Sequence, residues 1–89
     1  MIRMFVRHDV TDFAKWRAAY DAFDQERSGM GVKAQAVYQA ADKPTDVTVT
    51  HDFDDLAAAQ AFAAAPRLKE VMAEAGVAGA PQIWFTSPA

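Results

Sequence analysis

The hydrophobic period of this chain alternates between two and three-to-four, and the order of those changes restricts the folds open to it. Ile2, Met4, Val6 and His8 alternate with Arg3, Phe5 and Arg7, the period of a strand. Phe13, Trp16, Tyr20 and Phe23 then recur at helical spacing, with Thr11 or Asp12 placed to cap the segment and Ser28-Gly29-Met30-Gly31 to end it. Val32 to Ala40 and Val47 to Phe53 both read as strands, and Asp42-Lys43-Pro44-Thr45-Asp46 joins them with turn chemistry into a hairpin. Asp54 and Asp55 open a second helical region whose expected buried side is Leu56, Ala59, Phe62 and Ala63. Pro66 breaks it ahead of a short helix carrying Leu68, Val71 and Met72, and Gly76 ends that one. Pro81 to Thr86, with Ile83, Trp84 and Phe85, is the last strand.

The order β-α-β-β-α-β predicts an α+β class, ferredoxin-like chain: a four-stranded antiparallel sheet with helices on one face, in a single domain spanning residues 1–89. Right-handed crossovers put the first and third strands at the centre. Large apolar groups fall on both faces, with Met4, Val6, Val47, Val49, Ile83 and Phe85 on one and Phe5, Val37 and Trp84 on the other. The face that the helices leave open therefore needs a cover, and a second copy of the same sheet supplies one. The expectation is a homodimer through the open sheet face.

Size and composition agree with that need. A chain of 89 residues buries only about 60 to 70% of its unfolded surface, so pairing adds useful apolar burial. With no cysteine, disulfide staples, thiolate metal sites and cysteine nucleophiles are excluded. A net charge of -3 lacks the electrostatic footprint of a nucleic-acid binder. No stretch is apolar enough to enter a membrane, and Met1 to His8 alternates with charge where a signal peptide needs an unbroken apolar run, so a cytoplasmic location is expected.

Two stretches carry a family resemblance: Val10-x-Asp12-Phe13-x-Lys15-Trp16-x-x-x-Tyr20, and Leu68-x-Glu70-x-Met72-x-x-Ala75-Gly76-Val77-x-Gly79-x-Pro81-x-Ile83-x-Phe85. They resemble the dimeric α+β barrel superfamily, and within it the small proteins grouped with antibiotic biosynthesis monooxygenases and cyclase-like proteins. The resemblance implies a homodimer whose sheets pack face to face, with a small-molecule cavity in each subunit between sheet and helices. Members of this superfamily include cofactor-independent oxygenases, haem-degrading enzymes, isomerases and proteins without known activity, so the fold fixes no chemistry. Haem-degrading members resemble one another in an asparagine, tryptophan and histidine constellation, and this chain contains no asparagine.

His8 and His51 are the side chains that titrate unperturbed near neutrality, and they are the candidate catalytic residues. Matching the apolar faces of the first and third strands sets His8 near Val47 and His51 near Met4. That offset of four residues corresponds to roughly 13 Å, too far for a shared metal or a direct proton relay. Each imidazole is thus an independent candidate, either a pocket group or a satisfied core or strand-end histidine, and His51 sits further inside its strand. Trp16 and Tyr38 are the candidate ligand-binding residues, with Tyr20 beside them, because an aromatic body with a polar tip lines an apolar cavity while orienting one ligand atom. For Trp16 and Tyr20 the alternative is core packing, and for Tyr38 a one-residue slip of the hairpin sends the side chain to the other face. Arg3 and Arg7 share one side of the first strand and either hold an anion or pair with acidic groups such as Asp52. Asp52, Asp54 and Asp55 lack the spacing and glycine of a calcium loop, and no phosphate loop, Gly-x-Ser-x-Gly elbow or His-Glu-x-x-His helix is present.

These features predict a small-molecule-binding protein, for an apolar or aromatic ligand, that carries no metal, haem, flavin or nicotinamide. The second possibility is a cofactor-independent monooxygenase or cyclase-like enzyme acting on aromatic or polyketide-like compounds. There His51 serves as base, His8 stands in reserve, and Trp16 and Tyr38 line a dry cavity.

Overall fold

The computed structural model describes residues 1–89. Its strands are β1 (Ile2–Val10), β2 (Ala34–Ala40), β3 (Lys43–Phe53) and β4 (Val77–Thr86). Its helices are α1 (Phe13–Ala22), α2 (Asp24–Gly29), α3 (Leu56–Ala64) and α4 (Pro66–Glu74). The sheet runs β2-β3-β1-β4, antiparallel throughout, so the α+β, ferredoxin-like expectation holds. No helix is long and apolar enough to cross a membrane.

Local chemistry sets the element ends. Asp12 caps α1 by accepting from the Lys15 N–H, and Asp55 caps α3 through the Ala58 N–H. Asp54 pairs instead with Lys33. The first helical region breaks at Phe23, whose N–H is shared between the Ala19 and Tyr20 carbonyls at 3.2 Å, while the Phe23 carbonyl still accepts from the Arg27 N–H. Gly76 follows α4 at φ +82°, and a Cβ there would lie 2.7 Å from the Thr11 hydroxyl oxygen, so both conformation and space demand glycine.

Register decides which side chains face the helices. Met4 pairs with His51 and His8 with Val47, as the apolar faces predicted. From β1 and β3 the buried inner row is Met4, Val6, His8, Val10, Val47, Val49, His51 and Phe53. The hairpin corrects the sequence reading. Lys43 to Asp46 belong to β3, leaving Ala41 and Asp42 as the turn. In the resulting register Val37 opposes Val49, on the helix side, and Tyr38 opposes Thr48, on the open side. Val37 therefore packs against the core and not, as its position in the sequence predicts, on the open face with Phe5 and Trp84. Two smaller corrections concern Leu56, which is exposed at the start of α3, and β4, which begins at Val77 and meets β1 through a register shift between Arg7 and Asp9.

The open face carries Phe5 and Trp84 stacked in parallel, their centroids 5.2 Å apart. Arg3 and Arg7 each grip a carboxylate on β3 with two hydrogen bonds, to Asp52 and Asp46 respectively, so neither is free to hold an anion.

Candidate active site

Beneath the helices the apolar interior divides into two clusters. One is built on Met4, Val6, Phe23, Phe53, Phe62 and Leu68, and the other on Val10, Trp16, Val47, Val49 and Ala75. Between them lies a cavity of about 40 Å³ lined by members of both. That space admits a few water-sized groups and is far smaller than a typical ligand pocket of about 300 Å³ or more. A ring-sized ligand requires side chains at its edge to move. Leu68 and Met72 form such an edge, since they also line a groove against β4 that contains Pro81 and Ile83.

His8 and His51 both line this cavity, at separate positions along the inner face of the sheet. His8 packs against Trp16 and His51 against Phe62, with ring centroids 5.7 and 5.0 Å apart. Burial holds the His8 pKa below its ordinary value. Burial, and secondarily the Arg27 charge, push His51 down to about 3, so its imidazole is neutral at physiological pH. Neither ring is satisfied in its surroundings: both nitrogens of His8 and Nδ1 of His51 are buried without a hydrogen-bond partner. An unpaired buried polar atom costs stability, so these ring nitrogens are open to any hydrogen-bonding group that enters the cavity.

Trp16 lines the cavity from α1 and stacks on Tyr20, centroids 5.0 Å apart. The Tyr20 hydroxyl is likewise buried and unpartnered, and burial raises its pKa, so it is a neutral phenol. Tyr38 does not join them. The hairpin register puts it on the open face, half exposed and away from the cavity, which corrects its grouping with Trp16 as lining.

One lining residue escaped the sequence reading. Arg27 on α2 is 1% exposed, donates to the Tyr20 carbonyl and to Asp24, and lays its guanidinium over the Tyr20 ring at 3.8 Å from the centroid. The signal was present: Arg27 falls four residues after Phe23 and so continues the stripe Phe13, Trp16, Tyr20, Phe23. Its charged side chain, inside a run of polar residues, disguised a buried position.

The cavity therefore combines an apolar wall, one permanent cation, two neutral imidazoles and a phenol. No three His, Cys, Asp or Glu side chains gather as a metal-holding group. An arrangement of this kind can bind a mostly apolar molecule while hydrogen-bonding one or two of its oxygens.

Comparison with solved structures places the architecture. A protein of Bordetella bronchiseptica assigned provisionally as an antibiotic biosynthesis monooxygenase superposes with a TM-score of 0.85 at 15% identity, over 99% of this chain and 96% of that one. SnoaB, a cofactor-independent oxygenase from Streptomyces nogalater, superposes with a TM-score of 0.80 at 12% identity, over 99% of this chain and 92% of that one. The fold is that of the antibiotic biosynthesis monooxygenase-like proteins. The same fold also serves NE2512, a protein of unknown function from Nitrosomonas europaea, with a TM-score of 0.75 at 20% identity over 96% of this chain and 85% of that one. No family model matches the chain, and no curated protein matches it in sequence.

Proposed function

We propose that this protein binds a small, largely apolar or aromatic molecule in the cavity between sheet and helices, without a cofactor. The observation that carries this reading is the convergence of His8, His51 and Tyr20, all with buried unpartnered polar atoms, on one gap in the core. A folded chain bears such a cost where a ligand oxygen completes the hydrogen bonds. The working unit is the homodimer, one domain per subunit, joined through the open face where Phe5, Trp84 and Tyr38 lie.

A second reading, cofactor-independent oxygenation, has the unpaired His51 Nδ1 in its favour and the fold shared with SnoaB. In that chemistry the imidazole takes a proton from an activated methylene of the substrate. The resulting carbanion passes one electron to dioxygen, and the radical pair joins to form a carbon–oxygen bond. Loss of water leaves a ketone, so one oxygen atom enters the product and the other departs with the two methylene hydrogens. An imidazole held near 3 is a weak base on its own. It acts as one where the developing substrate charge lies beside both the imidazolium and Arg27.

Two measurements separate the readings. Small aromatic compounds should raise the melting temperature of the wild type, and Ala75→Met, which fills the cavity, should abolish the shift. Oxygen consumption with anthrone, lost in His51→Gln while melting is retained, supports the enzyme. Ligand shifts without oxygen uptake support the binding protein alone, and no shift with any compound contradicts both.

A further inference from the structure

The charge of the ligand follows from Arg27. Its side chain is 2% exposed, whereas that of its single carboxylate partner, Asp24, is 61% exposed and reaches it at 3.1 Å. The ion pair is lopsided: water screens the Asp24 charge, while the Arg27 charge lies where little solvent reaches it. Its other contacts, the Tyr20 carbonyl and the rings of Tyr20 and Phe23, are neutral. Asp21 belongs to the same polar surface groove as Asp24 and Arg17, outside the cavity, and is also well exposed.

On the cavity side, Arg27 faces no acidic group. The lining contains two imidazoles, the Tyr20 phenol and apolar side chains, and no aspartate or glutamate. Arg27 and Tyr20 line both the cavity and the outer groove, so the guanidinium belongs to the cavity wall while its carboxylate partner stays on the groove side. A guanidinium is always charged, and its flat array of N–H donors matches an anionic oxygen better than a neutral one.

We infer that Arg27 is the specificity-determining residue of this cavity and that it selects an organic monoanion, whose charged oxygen sits against the guanidinium while its apolar body occupies the space between Trp16 and Phe62. This rests on the binding reading above and adds the ligand's charge to it. The neutral imidazoles and the phenol then serve as hydrogen-bonding partners for the ligand's remaining polar atoms.

The test uses two isosteric pairs at constant pH 7.5, acetate with acetamide and benzoate with benzamide, titrated into the full-length protein by calorimetry and ligand-observed NMR. The acetate pair suits the cavity as it stands, and the benzoate pair requires its Leu68–Met72 edge to open. In at least one pair the acid should bind at least ten-fold more tightly than the amide. Arg27→Met should bring that ratio to about one, and Arg27→Lys should restore part of it. The wild-type ratio decides the matter even if the methionine variant does not fold. Equal binding of acid and amide overturns the assignment of Arg27 and leaves the binding reading in place, as does a ratio that survives in folded Arg27→Met. Failure of all four compounds to bind overturns this inference together with the binding reading.

Discussion

The Arg27 guanidinium carbon lies over the Tyr20 ring, 3.8 Å from its centroid, and the two side chains wall the cavity together. Contact at this distance between a buried cation and an aromatic face stabilises both without satisfying the phenol hydroxyl. Tyr20 thus has two separable parts: a ring that packs on Arg27 and Trp16, and a hydroxyl left without a partner.

Replacing Tyr20 by Phe should therefore stabilise the ligand-free protein. The ring contacts remain and an unsatisfied buried hydroxyl disappears, a gain of about 1 kcal/mol. Urea denaturation at one protein concentration should show the midpoint rising in Tyr20→Phe, with weaker binding of any ligand that hydrogen-bonds there. A lower midpoint would mean that the hydroxyl is paired in the folded protein.

Acid should act through the buried imidazoles. His51 has an ordinary value of 6.5 and a folded value pushed down to about 3, so between these limits the unfolded chain takes up a proton that the folded chain refuses. Its contribution to stability is complete above pH 6.5 and falls as pH drops toward 3, by about 1.4 kcal/mol per pH unit. His8, also lowered by burial, adds in the same direction. Between pH 6.5 and 5, above the range where carboxylates titrate, unfolding free energy should decline in the wild type and decline less steeply in His51→Gln. Equal slopes would show that His51 is not held neutral in the fold.

On the open face the Phe5–Trp84 stack, with Trp84 41% exposed, presents the apolar surface through which the proposed homodimer would join. Light scattering at micromolar concentration should return about twice 9.7 kDa for the wild type. Trp84→Glu, which puts a charge at the centre of that surface, should return the monomer mass. A wild type that remains monomeric at that concentration contradicts the face-to-face assembly.

Much of the fold was legible because the alternation in β1 and the helical stripe that follows it each have one period and one buried side. Pairing β1 with β3 by their apolar faces found the Met4–His51 and His8–Val47 partners for the same reason. The hairpin was less legible. Pro44 and Asp46 are turn residues by composition, yet they sit within β3, and the tighter turn reversed the facings expected for Val37 and left Tyr38 outside the cavity. In the candidate site His8, His51 and Trp16 could be proposed from residue type, whereas Arg27 required position to be weighed above polarity. Leu56 shows the converse, an apolar residue left exposed in the first turn of α3 while Ala59 and Phe62 face inward.

Occupancy of the cavity is tested most directly by long-range proton–nitrogen NMR of protein labelled with 15N-histidine, titrated with benzoate, benzamide and phenol. The two imidazoles are the only histidines in the chain, and both face the cavity, so every signal reports on it. At least one compound should move the His8 and His51 ring-nitrogen resonances along a saturable curve, and Ala75→Met should suppress the change. Imidazole resonances that stay fixed with all three compounds, whatever happens at surface amides, would contradict a ligand-binding cavity at this site.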